Sequence, residues 1–188
     1  MKNSSIELTK AHPDFHRLKA VLVCASKDQS RFAITKVLVK KETAGVTITA
    51  TDGRRLRIDR FDIETAAGVY DIKTNSAGSI FLMRNKEKLT FPKTDQVIPS
   101  MDPNDAYALK GTGKRFVIWS TSALGCMLDP ELIALNDDEG VTLYVQKKRP
   151  EISAALMKND ETTLVIMPYH VTEQWGQELE QIRMAKAA

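Results

Sequence analysis

Twice along this sequence a stretch with helix signals, marked first by apolar residues at three-and-four spacing and then by a capping sequence, gives way to strand-like runs, and a proline-rich stretch separates the two passages. Helices packed on antiparallel strands satisfy such a pattern, and because both passages run in the same order it implies a pseudo-repeated α+β unit. In the first passage, His12 to Lys27 places Phe15, Leu18, Val21, Leu22 and Ala25 on one side of a predicted helix, with His16, Arg17, Ala20, Cys24 and Lys27 on the other. Arg31 to Lys40 and Val46 to Ala50 follow as predicted strands around a turn at Lys41 to Gly45. Asp52-Gly53 signals another turn, and Arg54 to Ile63 reads as a third strand with a bulge near Arg60. Val69 to Lys73 and Ser79 to Arg84 read as two more.

Pro92, Pro99 and Pro103, with Asp102, Asn104 and Asp105, predict an irregular connection between Phe91 and Thr112. Beyond it, Arg115 to Ser120 reads as a strand. Asp129-Pro130-Glu131 supplies an N-cap, a first-turn proline and an acidic first turn for a short helix through Leu135. Val141 to Val145, Glu151 to Leu156 and Thr163 to Met167 are the remaining predicted strands. The expected organisation is one domain over 1–171, built of half-units at about 1–99 and 112–171. A tail over 172–188 follows, with Trp175, Leu179 and Ile182 at helical spacing, expected to dock on the domain or on a neighbouring subunit.

Composition narrows the function classes. With 188 residues, 43% of them hydrophobic, the chain can bury a core unaided, and 27% charged residues set it apart from disordered and membrane proteins. Its longest apolar stretch, Ala20 to Ala25, is far short of the roughly 20 residues a membrane span needs, and Met1 to Glu7 has no signal-peptide character. The expected compartment is the cytoplasm, where Cys24 and Cys126 read as structural free thiols. A net charge of +3 leaves any nucleic-acid contact to local groups such as Arg54, Arg55, Arg57 and Arg60, or Lys114 and Arg115, each of which also reads as a solvated strand or turn face.

Catalytic patterns are missing. His12 and His16 lack a third metal ligand, and no GxSxG elbow surrounds Ser120 to Ser122. Gly111-Thr112-Gly113-Lys114-Arg115 has neither phosphate-loop spacing nor a predicted helix after it, and Asp137-Asp138-Glu139 reads as a turn cap. No catalytic residue, metal or cofactor is expected.

Three strings carry a resemblance. Ala50-Thr51-Asp52-Gly53-Arg54-Arg55-Leu56 looks like the ATDGHRL signature of the bacterial DNA polymerase III beta subunit, the sliding clamp, with Arg54 in place of His. Phe91 to Pro99 is similar to that family's FPDYRRVLP-type stretch. Leu164 to Val171 resembles its YVVMPMRL ending. The matches occur in the family's order, over roughly Ile6 to Val171, as if the first part of a middle domain were joined to the end of a last one.

The resemblance implies a DNA-clamp-like fold and a groove that accepts a short peptide of apolar and glutamine character from polymerases or repair proteins. Carried over residue by residue, the groove comprises Ile34, Thr51, Gly53, Arg54, Arg55, Leu56, Pro92, Gln96, Val97, Val165, Met167, Pro168 and Tyr169. Gln96 and Tyr169 depart from the family's usual Arg and Met. Apolar walls, an adaptable Met and a glycine that admits backbone also suit a peptide site on chemical grounds, although the same residues read equally as strand ends and core. The resemblance further implies that the helix face with Arg17 and Lys27 turns toward double-stranded DNA, touching phosphates without reading bases. One domain per chain then implies a homo-oligomer, a hexamer if a ring closes. The alternative is a clamp-fold interaction module that does not encircle DNA.

Overall fold

Alternation along the strands builds a single ten-stranded sheet whose partners are all antiparallel. The computed structural model describes residues 4–87 and 89–169. The elements in chain order are β1 (Ser5–Thr9), α1 (Phe15–Val23), β2 (Val37–Lys41), β3 (Val46–Thr51), β4 (Arg55–Phe61), β5 (Gly68–Asn75), β6 (Ser79–Arg84), β7 (Ala106–Thr112), α2 (Gly113–Ala123), β8 (Gly140–Gln146), β9 (Ala155–Lys158) and β10 (Thr162–Ile166). Across the sheet the order is β1-β6-β5-β2-β3-β4-β10-β9-β8-β7. The seam between the first six strands and the last four is the β4–β10 pair, in register from Thr162 opposite Asp59 to Ile166 opposite Arg55.

Both helices cover one face. Phe15, Leu18, Val21 and Leu22 of α1 and Val117 of α2 join Val39, Ile48, Leu143, Leu164 and Ile166 in one buried cluster. On the opposite face, Leu56, Leu156 and Val165 form a smaller one. Val165 sits between Leu164 and Ile166 yet belongs to the other cluster, as the period of a strand requires.

Several expectations need correction. The first helix runs over Phe15–Val23 and leaves Lys27 beyond its end. Residues Gln29–Thr35 form 3-10 turns capped by Asp28, so the strand expected over Arg31 to Lys40 loses its first part and β2 starts only at Val37. Arg115 to Ser120, also expected as a strand, lies within α2. The run Phe116-Val117-Ile118-Trp119 has strand propensity, but Val117 and Thr121 stand four apart and both face the core, so burial overrides propensity. Gly113 makes the break: its φ is 72°, and a Cβ there would meet the backbone of Asp137. The glycine-rich stretch is therefore followed by a helix after all. Edge strands β1 and β7 were not foreseen, and Asp129 caps only a 3-10 turn over Pro130–Leu132. Among the described residues, the one register shift in the paired strands lies in β5 near Ile72, not at Arg60.

The absence of a bulge at Arg60 has an electrostatic consequence, because Arg57 and Asp59 occupy inward positions of β4 and are both fully buried. Arg57 donates from Nε and Nη2 to the two oxygens of Asp59 at 2.9 and 2.8 Å. Its Nη2 also donates to Glu139 Oε1 at 3.1 Å and Thr162 Oγ1 at 3.4 Å, and its Nη1 to the carbonyl of Ala134. Arg57 is thus a core residue, removed from any basic surface patch. Among the described residues, no buried side-chain polar atom lacks a partner. Breaking such a pair strands the remaining charge, so Asp59→Ala should lower stability by roughly 3–5 kcal/mol in urea unfolding, while Arg57→Met/Asp59→Leu should lose much less.

A second ion cluster ties Lys36, just before β2, to β5. Burial raises the pKa of Asp71, but hydrogen bonds from Lys36 (2.6 Å) and Asn85 (2.9 Å) and the nearby Lys73 ammonium (3.1 Å) outweigh it and hold the carboxyl at about 2. A depressed carboxylate contributes stability above its unfolded pKa of about 3.9 and loses that contribution as pH falls through its folded one. Unfolding midpoints measured from pH 5 to about 2 should therefore fall less steeply in Asp71→Asn than in the native chain.

Candidate functional site

The turn between β3 and β4 is built by its own side chains. Asp52 Oδ1 accepts the backbone N–H groups of Arg54 (2.9 Å) and Arg55 (3.0 Å). Thr51 Oγ1 accepts from the Gly53 N–H and donates to the Arg55 carbonyl. Gly53, at φ 88°, supplies the left-handed backbone this turn requires. Arg55 then anchors three segments: its Nε donates to Asp52 Oδ2 at 3.0 Å, Nη1 to the carbonyls of Glu131 and Leu132, and Nη2 to the carbonyl of Val23 at 2.6 Å. Its charge is spent on positioning the end of α1 and the 130–132 turn.

Against this turn lies a groove of about 240 Å³ lined by Ile34, Thr51, Gly53, Arg54, Arg55, Leu56, Pro92, Lys93, Thr94, Val97, Val165 and Met167. Four separate segments meet here. Leu56 and Val165 face each other across the β4–β10 seam and form the buried floor. Ile34 enters from the 3-10 turn, held by the hydrogen bond from Ser26 N–H to its carbonyl. Val97 arrives on the turn Asp95–Val97 and is 53% exposed, and Met167, just past β10, is 46% exposed. The Met167 N–H donates to the Arg54 carbonyl, and the Tyr169 N–H to the Met127 carbonyl.

Ten of the thirteen residues expected in a groove are thus brought together: Ile34, Thr51, Gly53, Arg54, Arg55, Leu56, Pro92, Val97, Val165 and Met167. Gln96, Pro168 and Tyr169 do not line it. Gln96 and Tyr169 are exposed, and Pro168 is half-buried. Lys93 and Thr94 line the groove without having been singled out, although both stand inside the Phe91 to Pro99 string that pointed there.

Among the groove's lining residues the only charges are positive. Arg54 is exposed and lies 3.5 Å from Asp129, and Lys93 has no ion pair among the described residues. The chemistry on offer is that of an apolar slot with a basic rim. No set of three or more His, Cys, Asp or Glu among the described residues is arranged to hold a metal. Burial pushes the Cys24 thiol up to about 12 and the Cys126 thiol to about 11, and neither is in a disulfide.

No protein-family model and no curated protein matches the sequence. Solved structures do match. The chain is similar to the DNA polymerase sliding clamp of Bacillus subtilis at 13% identity and a TM-score of 0.58, over 90% of this chain and 65% of that one. For the DNA polymerase III beta subunit of Thermotoga maritima the values are 10%, 0.56, 92% and 67%. For the DNA polymerase sliding clamp of Pseudomonas aeruginosa they are 11%, 0.52, 91% and 68%. The fold is that of the DNA polymerase sliding clamps. This clamp-fold chain spans about two thirds of the length of those proteins.

On the helices of this clamp fold, the two residues expected to face DNA are placed differently. Arg17 on α1 donates to Asp14 Oδ1 at 3.1 Å and to the Arg60 carbonyl, lies 2.9 Å from Glu161 Oε2, and stacks over the Phe61 ring. Lys27 is exposed but lies past the helix end. Lys114 and Arg115 on α2 have no ion pair among the described residues, and Trp119, one turn beyond Arg115, is 78% exposed. No helix among the described residues is long and apolar enough to cross a membrane.

Proposed function

We propose that this chain is a non-catalytic clamp-like protein of the cytoplasm, one domain of two half-units, that holds partner proteins through short peptides seated in the groove at Met167. The convergence of four segments on an apolar slot with a flexible methionine at its mouth carries this reading, because such a slot accepts side-chain anchors while the basic rim orients the peptide. Polymerases or repair factors are the partners the clamp fold suggests. The buried thiols suit a reducing compartment.

Sequence-independent contact with duplex DNA and assembly into a ring belong to the same proposal. Strands β1 and β7 end the sheet and each pairs on one side only among the described residues, so head-to-tail copies have edges to join. A second reading, an interaction module that does not encircle DNA, is favoured by Arg17, whose charge is already engaged by Asp14 and Glu161.

Two measurements test these readings. Met167→Asp should weaken binding of a synthetic glutamine- and leucine-containing peptide by at least about 30-fold, roughly 2 kcal/mol, with an unchanged unfolding midpoint because the side chain is half exposed; unchanged affinity would remove the groove from the proposal. Light scattering should give a closed multimer whose retention on duplex DNA drops steeply between about 50 and 200 mM salt. A monomer indifferent to DNA would leave the interaction module.

A further inference from the structure

The last described residue, Tyr169, stands two positions past the groove-lining Met167, with its N–H held by the Met127 carbonyl. Residues 170–188 lie outside the described structure, and their sequence suits this slot. Trp175, Leu179 and Ile182 recur at i, i+4 and i+7, the spacing of anchors that an amphipathic segment lays into an apolar groove. Glu173, Glu178 and Glu180 outweigh Arg183 in this segment, leaving it opposite in sign to Lys93, which has no ion pair among the described residues, and to Arg54, which lies 3.5 Å from Asp129.

We infer that the groove's resident occupant is the chain's own 172–184 segment, bound in cis with Trp175 and Leu179 as its anchors, so that a partner peptide must displace it. This rests on reading the groove as a peptide site. Reach is not limiting: Trp175 stands six positions past Tyr169, up to roughly 20 Å of extended chain. About 240 Å³ is below the size of a drug-sized ligand pocket and suits one or two large side chains. A short tether holds the segment at an effective concentration of order millimolar, so even a weak interaction keeps the slot filled. The Leu56–Val165 floor and the half-exposed Val97 and Met167 are then covered in the resting protein, and access to them is set by competition.

The test uses the full chain. Trp119→Phe leaves Trp175 as the lone indole, since the sequence has two tryptophans. Its emission should be blue-shifted, and its acrylamide quenching at least about threefold slower than in Trp119→Phe/Met167→Asp, at every protein concentration over about a hundredfold range. In parallel, the fluorescein-labelled glutamine- and leucine-containing peptide should bind Trp175→Ser/Leu179→Ser/Ile182→Ser at least about tenfold more tightly than the native chain. A blue shift that disappears on dilution would assign the segment to a second copy and overturn binding in cis. Equal peptide affinity with and without the three anchors, lost in both on Met167→Asp, would overturn self-occupancy while leaving the groove as a peptide site. A peptide affinity indifferent to Met167 in both backgrounds would remove the groove and this inference together.

Discussion

The pairing of β4 with β10 is the contact on which the rest of the molecule depends. It turns two runs of strands into one sheet, and its inward side carries a buried guanidinium instead of an aliphatic side chain. Arg57 belongs to the first run, yet three of its partners, Ala134, Glu139 and Thr162, come from the second. Burying this charge is tolerable only because every donor finds an acceptor, and that demand fixes where the 134–139 segment must lie relative to β4. A leucine at the same position would place no directional demand on its neighbours, whereas the guanidinium requires acceptors in fixed directions.

The groove follows from the same seam. Residues of β4 alternate, so the order that sends Arg55 and Arg57 inward sends Leu56 outward, where it meets Val165 of β10. The apolar floor and the ionic interior are two faces of a single register, and a one-residue slip would exchange them. Arg55 extends the coupling by gripping the end of α1 and the 130–132 turn, which fixes the position of its own side chain beside the slot. What remains adaptable is at the mouth, where Val97 and Met167 are half exposed. The site thus joins a buried floor to an exposed mouth.

The two helices divide the clamp-like face unequally. Arg17 stacks on Phe61 and is held by carboxylates, whereas α2 presents Lys114, Arg115 and Trp119. The helical state of α2 is one that the aromatic and β-branched run Phe116 to Trp119 conceals.

Local chemistry alone determined a good deal. The spacing of Phe15, Leu18, Val21 and Leu22 specified α1, the alternation of Val46 to Ala50 specified β3, and Asp52-Gly53 specified the turn that opens the groove, because these signals act over a few residues and need no partner. The three strings resembling the clamp family hold nine of the expected lining residues, and Ile34, carried over with them, is the tenth. Only the tertiary structure decided the rest. Burial of Val117 and Thr121 made a helix of a strand-like run, and β7 became a strand because β8 offered it an edge, not because of its own pattern. Arg57, which reads as a surface cation in a basic stretch, became the buried tie between two halves of the sheet. A charge's role depends on what surrounds it in space, and the acceptors that surround this one stand as many as 105 residues away along the chain.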